Sequence, residues 1–243
     1  MRFIISNYFN LKFGLGFKKI DFHNVYNILP SLNETDQIIN SKRLLTNDNL
    51  PIILFTHLLH DPLFFKNKKI IFILRSVYDT IVSFYFHNSN HHSRYNKGIK
   101  SFIRDENLGV NRLVNYLNSW SKYLLQKECL ITSYESLHSN PEKVFSKVLD
   151  YLNLHLDEEK ARKAIENSSF TNMKKVEISK GILNHDYDRK NNNSLRVREG
   201  KVGNYKDLLD MKDLSYINNK LKKDLNSYSI EIISKYHVSI DDL

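Results

Sequence analysis

Apolar residues along this chain fall into short blocks of two different periods. Phe3, Ile4, Ile5, Tyr8 and Leu11 recur at near-helical spacing and predict a helix over residues 1–12. Residues 13–50 are mixed, with polar turns around 31–36 and 46–49. Residues 51–55 and 69–74 are brief runs rich in Ile, whose length and β-branching predict buried strands. Ser76 opens the next helix, its hydroxyl a candidate cap with Asp79 three residues on; Val77, Ile81, Val82, Phe84 and Tyr85 form the packing faces. Leu113, Tyr116, Leu117, Trp120 and Leu124 mark a longer helix over 109–126, and a strand follows at 128–133. Asn140-Pro141 supplies a cap and a first-turn proline for a helix striped by Val144, Phe145, Val148, Leu149 and Leu152. Helices are expected at 157–166, 168–175 and 213–235, with a mobile loop rich in Asn and charge over 178–200. Strands alternating with helices predict an α/β fold with a mainly parallel sheet. With neither a repeat nor a linker, residues 1–243 read as one domain.

Composition narrows the class. The chain has 243 residues, 41% of them apolar or aromatic, enough for a buried core and against wholesale disorder. A single cysteine, Cys129, cannot form an internal disulfide, and its place in an expected strand reads as a small buried hydrophobe. No apolar run approaches the roughly 20 residues that span a bilayer, and Ser6 and Asn7 interrupt the opening too early for a signal peptide. A cytoplasmic, reducing compartment is the expectation. The net charge of +9 invites an anionic partner, but Lys, Asn and Ile are abundant throughout. No basic stripe interleaved with aromatics or known module points to nucleic acid.

The chemistry concentrates in residues 68–87, KKIIFILRSVYDTIVSFYFH. A strand ends at Arg75, a helix begins at Ser76, and Ser83 lies two turns into it. Ligands of such folds sit at the carboxyl ends of strands. There Arg75 can offer a bidentate fork to a phosphate, beside free N–H groups and the positive end of a helix dipole. On spacing alone, an arginine at a strand end is more often a surface ion pair.

The wider pattern adds to this. FILRSVYDTIVSFYFH closely resembles the 3′-phosphate signature of the PAPS-dependent sulfotransferases, Arg-Asn-Pro-x-Asp-x-x-x-Ser, with Ser76-Val77 in place of Asn-Pro. Thr56-His57 resembles the family's Lys-Thr-His, whose His is the catalytic base, with Phe55 at the Lys position. Tyr134-Glu135-Ser136-Leu137 followed by Pro141 resembles Tyr-Glu-Asp-Leu…Pro, which gives Tyr134 the adenosine-side tyrosine's place. Ser168-Ser169-Phe170-Thr171-Asn172-Met173-Lys174 resembles Thr-Ser-Phe-x-x-Met-Lys, whose Phe stacks on adenine. Arg198-Glu199-Gly200-Lys201-Val202-Gly203-Asn204-Tyr205-Lys206 resembles Arg-Lys-Gly-x-x-Gly-Asp-Trp-Lys, with Glu, Asn and Tyr as departures. Five segments in the family's order, across residues 51–206, are more specific than any one of them.

The resemblance implies a three-layer fold like that of the P-loop nucleotide kinases, its central sheet mainly parallel and flanked by helices. It implies 3′-phosphoadenosine 5′-phosphosulfate (PAPS) as co-substrate and no metal. His57 would be the base; Arg75, Ser83, Arg198, Glu199 and Gly200 would surround the 3′-phosphate; Tyr134, Ser168 and Phe170 would take the adenosine side. The acceptor would be a small-molecule or glycan hydroxyl, met by loops within 13–50, 88–108 and 178–196. His87, His91 and His92 share a polar loop without the Cys or carboxylate partners a metal would need.

One family element has no counterpart. Nothing in the 243 residues matches the phosphosulfate loop, Pro-Lys-Ser-Gly-Thr-Thr-Trp, while Met1-Arg2-Phe3-Ile4-Ile5 resembles the helix that follows it. The expectation is therefore a chain that lacks the loop and the first strand. Two alternatives stay open: a relic that binds the nucleotide without catalysis, and a basic nucleic-acid-binding protein.

Overall fold

Helix α1 (Arg2–Phe13) forms where the apolar spacing predicts it and ends at Gly14 in the left-handed conformation, φ 61°. The computed structural model describes residues 1–32, 38–39, 50–91, 95–183, 185 and 187–236. The expected turn at 46–49, most of that at 31–36, and His92 lie outside these residues. The chain divides into two units, Met1–Leu58 with Asn140–Arg198, and Leu59–Ser139 with Glu199–Leu243.

In the first unit, α1 is followed by α2 (Val25–Ile28), β1 (Ser31–Leu32), β2 (Ile38–Ile39) and β3 (Phe55–Thr56). Strand β1 pairs antiparallel with β2 and parallel with β3. Ser31–Leu32, expected within a polar turn, is thus the middle strand of a small sheet. The expected buried strand at 51–55 is shorter than its apolar run. Only Phe55 and Thr56 pair, and Ile52 and Leu54 are exposed, because consecutive apolar residues in extended chain point to opposite sides and only one side is covered.

The buried face of α1 includes Phe3, Ile4, Ile5, Tyr8 and Phe9. Tyr8 is wholly buried; its hydroxyl donates to the His155 carbonyl at 3.0 Å and accepts the Asp157 N–H at 3.0 Å, and its ring meets Phe145 edge-on at 5.2 Å. Phe145 belongs to α7 (Pro141–Tyr151), capped as expected by the Asn140 side chain, which accepts the Lys143 N–H. Helices α8 (Glu158–Asn167) and α9 (Phe170–Lys180) follow in the same unit. The expected helix at 168–175 runs on to Lys180, taking the start of the expected loop, because Val176 and Glu177 are buried.

In the second unit, β4 (Ile71–Leu74) leads into α3 (Val77–Phe86), followed by α4 (Ile99–Ile103), α5 (Gly109–Gln126), β5 (Leu130–Ser133) and α6 (Tyr134–Ser139). Strands β4 and β5 pair in parallel, Ile71 opposite Leu130 through Leu74 opposite Ser133. Val110, Val114, Leu117, Trp120 and Leu124 form the buried stripe of α5, and the Phe72 ring of β4 lies 5.8 Å from that of Trp120.

The single helix expected over 213–235 is two, α10 (Met211–Asp224) and α11 (Ser227–Lys235). Asn118 of α5 explains the break. Its amide donates to the Asp224 carbonyl at 2.8 Å and accepts the Asn226 N–H at 2.9 Å, while the Asn226 side chain caps α11 through the Ser229 N–H. Side-chain capping at both ends of the break replaces the hydrogen bonds that a continuous helix would make there. Among the described residues no helix is long and apolar enough to cross a membrane. The α/β expectation stands, and two of the three strand pairings among the described residues are parallel.

Candidate functional site

The register of β4 against β5 builds the most chemically distinctive corner of the second unit. Leu74 pairs with Ser133, so the residues that leave the two strands, Arg75 and Tyr134, emerge side by side. The Arg75 guanidinium stands 4.5 Å from the centroid of the Tyr134 ring, a cation–π contact worth about 0.5–2 kcal/mol. The backbone N–H of Ser76 donates to Glu135 Oε1 at 2.8 Å, tying the start of α3 to the first turn of α6.

Around that tie, three polar atoms are buried without a hydrogen-bond partner: Arg75 Nε, Ser76 Oγ and Glu135 Oε2. Unpaired buried donors cost about 1–3 kcal/mol each, so a protein that keeps two of them at a helix N-terminus has a use for them. The expected hydroxyl cap is overturned here. Ser76 makes no side-chain cap to α3, and Asp79 turns away to a different task.

That task is anchoring. The Asp79 carboxylate, 1% exposed, accepts the Gly203 N–H at 2.7 Å and the Tyr205 N–H at 3.0 Å. Gly203 has φ 81° and Gly200 φ 61°, left-handed conformations that suit glycine and let the segment fold back sharply. His138 of α6 hydrogen-bonds through Nε2 with the Gly200 carbonyl at 2.8 Å, and the Tyr205 ring packs 4.7 Å from that of Tyr78. The half-buried Glu199 and Gly200 are thereby drawn back to α3 and α6. Ser83, two turns along α3, leaves its side chain exposed.

The anchoring roles of Asp79 and His138 escape the sequence reading, as does the Glu135 tie to Ser76. Asp79 was legible only as a possible cap. The available signal was its position: an acidic residue in the first turn after a buried strand serves whichever backbone N–H groups come near.

In the first unit, His57 follows β3 directly. Its ring keeps solvent exposure, and Phe55 stands edge-on to it at 4.8 Å. Crowding by the surrounding chain, then the charges of Arg2 and Arg196, hold its imidazole below the ordinary histidine value, so it is neutral at pH 7. Phe170 opens α9, half-buried, with Lys174 Nζ 5.5 Å from its ring centroid. Lys174 also donates to the Arg198 carbonyl at 3.2 Å, fixing that end of the loop. Ser168 is 8% exposed; its hydroxyl donates to the Ala164 carbonyl at 2.7 Å and accepts from Asn7 Nδ2 at 3.0 Å. Its hydroxyl is thus already occupied in closing α8 onto α1.

Within the second unit Arg75 and Tyr134 are therefore in contact, with Glu199 and Gly200 tied to the same elements; within the first unit Lys174 links the Phe170 ring to the Arg198 backbone. Cys129 is half-buried just before β5, and burial pushes its thiol up. Among the described residues no group of three or more His, Cys, Asp or Glu is placed to hold a metal ion. Chemically, the Arg75 corner can bind an oxyanion, and His57 can accept a proton.

A family model described as the sulfotransferase domain matches residues 2–229. Sulfotransferase 1B1 of Mus musculus is 25% identical over 208 residues, covering 79% of this chain and 67% of that protein. Sulfotransferase 2A1 of Homo sapiens is 30% identical over 165 residues, 65% of this chain and 54% of that one. The chain thus spans between about half and two thirds of these relatives' length. Among solved structures, retinol dehydratase in a complex with retinol and PAP superposes with a TM-score of 0.62 at 17% identity, covering 93% of this chain and 76% of that one. Mouse sulfotransferase SULT7A1 complexed with PAP gives 0.59 at 22% identity, covering 76% and 70%. The strand–helix corner carrying Arg75 and the family match across nearly all of the sequence lead to one conclusion: this chain belongs to the sulfotransferase family.

Proposed function

We propose that this protein transfers a sulfuryl group from PAPS to the hydroxyl of a small-molecule acceptor. The observation that carries the reading is the pair of buried, unpartnered donors, Arg75 Nε and Ser76 Oγ, at the N-terminus of α3 beside the Tyr134 ring. A phosphate offers the acceptor oxygens those donors lack, and a nucleoside 3′-phosphate brings an adenine for aromatic faces nearby in the motif set. Arg75 and Ser83, with Arg198, Glu199 and Gly200, receive the 3′-phosphate in this reading; Tyr134 and Phe170 serve the adenosine, and Ser168, its hydroxyl occupied between α8 and α1, contributes by holding the end of α8 from which Phe170 follows. Glu199 and Gly200 contribute through backbone groups, since a carboxylate side chain repels a phosphate. Two solved relatives complexed with PAP support the choice of nucleotide. The family match, residues 2–229, runs through both units, which supports reading them as one domain. The unpaired Cys129 suits a reducing, cytoplasmic setting.

The step is an in-line displacement governed by positioning and charge stabilisation. The acceptor oxygen forms a bond to sulfur as the bond from sulfur to the bridging phosphate oxygen breaks. The hydroxyl proton passes to His57, and adenosine 3′,5′-bisphosphate (PAP) departs with the electron pair. His57 must be neutral to act.

Its depressed pKa gives the pH prediction a sign. The base form is still the majority species at the ordinary histidine value, and the midpoint of its loss lies below that value. With labelled PAPS and a panel of phenols and aliphatic alcohols, the acid-side midpoint of kcat/KM is expected below the ordinary histidine value. His57→Gln is expected to slow transfer by roughly 10²–10⁴-fold with PAP affinity within about twofold of the parent. Equal transfer by His57→Gln would refute the assignment. A chain that binds PAP but transfers sulfate to no acceptor would support the relic reading instead.

A further inference from the structure

Beside His57, the first unit holds a second concentration of positive charge that the proposed nucleotide contacts do not use. The Arg2 guanidinium lies over two rings, 4.7 Å from the centroid of Tyr26 and 4.4 Å from that of Phe55. Phe55 in turn meets His57 edge-on at 4.8 Å. Arg196 approaches from the other part of the same unit, a terminal nitrogen 3.4 Å from His185 Nε2. Its Nε is buried and has no hydrogen-bond partner.

The local build of Arg196 is deliberate. Glu177 is wholly buried, and its carboxylate accepts the Arg196 and Val197 N–H groups, each at 2.7 Å, together with the Tyr187 hydroxyl at 2.9 Å. The nearby acid is thus spent on the backbone. Among the described residues neither Arg2 nor Arg196 is ion-paired with a carboxylate. The two cations nevertheless feel one another, since burial and then the Arg196 charge hold Arg2 below its ordinary value. Burial alone would push the Tyr26 hydroxyl up, but the two guanidinium groups outweigh it and leave that hydroxyl below the usual phenol range.

A packing role does not account for this arrangement. Stacking on aromatic rings is favourable for one arginine, but bringing a second cation close with no carboxylate paired to either among the described residues is unfavourable. An anion between them reverses the sign, and guanidinium forks match tetrahedral oxyanions. We infer that Arg2 and Arg196, with the Tyr26 hydroxyl as a further donor, form an oxyanion-binding site next to His57 for a sulfate- or phosphate-like group. Its place in the reaction rests on the reading of His57 as the base. The group belongs either to the 5′ end of the nucleotide or to an acidic substituent on the acceptor.

Inorganic sulfate is the probe, titrated against chloride at constant ionic strength. An Arg75→Ala background removes the other proposed oxyanion site. In that background sulfate is expected to raise the melting temperature, and adding Arg2→Gln or Arg196→Gln should cut the rise at least fivefold, with Arg→Lys restoring part of it. An undiminished rise in both glutamine variants overturns the site. Should a glutamine variant fail to fold, the His57 ring signal of the parent protein decides. Bound sulfate neutralises the neighbouring cations, so the His57 pKa should climb by at least 0.3 (roughly twofold in proton affinity), and an unmoved pKa overturns the site. Saturating PAP then separates the sources. A sulfate response abolished by PAP assigns the site to the nucleotide's 5′ end, and a response that survives assigns it to an acidic acceptor. If PAP does not bind while sulfate still responds to Arg2 and Arg196, the nucleotide reading fails and the anion site stands.

Discussion

Arg75→Ala is expected to weaken binding of adenosine 3′,5′-bisphosphate by roughly 10–100-fold, the loss of one or two charge-assisted hydrogen bonds at about 1.5–3 kcal/mol in total. The direction follows from the corner itself. Among the described residues Arg75 Nε has no protein partner to lose, so the truncation removes ligand contacts while breaking the Tyr134 stack. Fold stability should therefore change by no more than the stack contributes, about 2 kcal/mol or less. Isothermal calorimetry on the parent and the variant, with melting of both in the absence of nucleotide, separates the effects. Unchanged affinity with an unchanged melting temperature would remove Arg75 from the site. Arg75→Lys should recover part of the loss, since it keeps the charge but not the planar fork.

Asp79→Ala carries the second large effect, and on a different quantity. The carboxylate is buried, and both N–H groups it accepts, those of Gly203 and Tyr205, lose their partner in the variant. Two stranded donors cost about 2–5 kcal/mol. For a chain of this size that is about 4–20 °C in melting temperature. The segment from Glu199 to Tyr205 would also lose its fixed path, so nucleotide affinity should fall although Asp79 itself is assigned no contact with the ligand. Asp79→Asn retains one acceptor oxygen and should fall between parent and alanine variant. An alanine variant that melts with the parent would show the anchor to be unimportant.

These two residues also mark what was legible in the sequence. Arg75 could be placed at a strand end because the Ile-rich run before it and the helical period after it are local signals. The helix at Gly109–Gln126 was readable within its boundaries for the same reason, a stripe of large residues at one period. The break between α10 and α11 was not, since it depends on Asn118, more than a hundred residues away in the chain. The same holds for Asp79, whose partners lie at 203 and 205. Ser76 reads locally as a cap, yet Glu135 from the neighbouring turn takes its N–H and its hydroxyl is left without a partner.

Residues 51–55 illustrate the opposite error, in which a local signal overstates structure. Four apolar side chains in a row predict burial on both faces, but Ile52 is 69% exposed, and pairing begins only at Phe55. Arg2 and Arg196 were invisible as a pair because nothing local links the start of α1 to the segment after Ser194. Composition pointed to an anionic partner but not to where its charges would converge. The excess of +9 is spread along the chain, whereas the proposed chemistry draws on four arginines, Arg2, Arg75, Arg196 and Arg198.

The central claim is that this chain recognises a nucleoside 3′-phosphate at the Arg75 corner. The most direct measurement is calorimetric binding of adenosine 3′,5′-bisphosphate beside adenosine 5′-monophosphate, which differs only in lacking the 3′-phosphate. The account predicts that the bisphosphate binds at least tenfold more tightly, and that Arg75→Ala erases most of that preference. Equal affinity for the two nucleotides, or a preference that survives in Arg75→Ala, would contradict it.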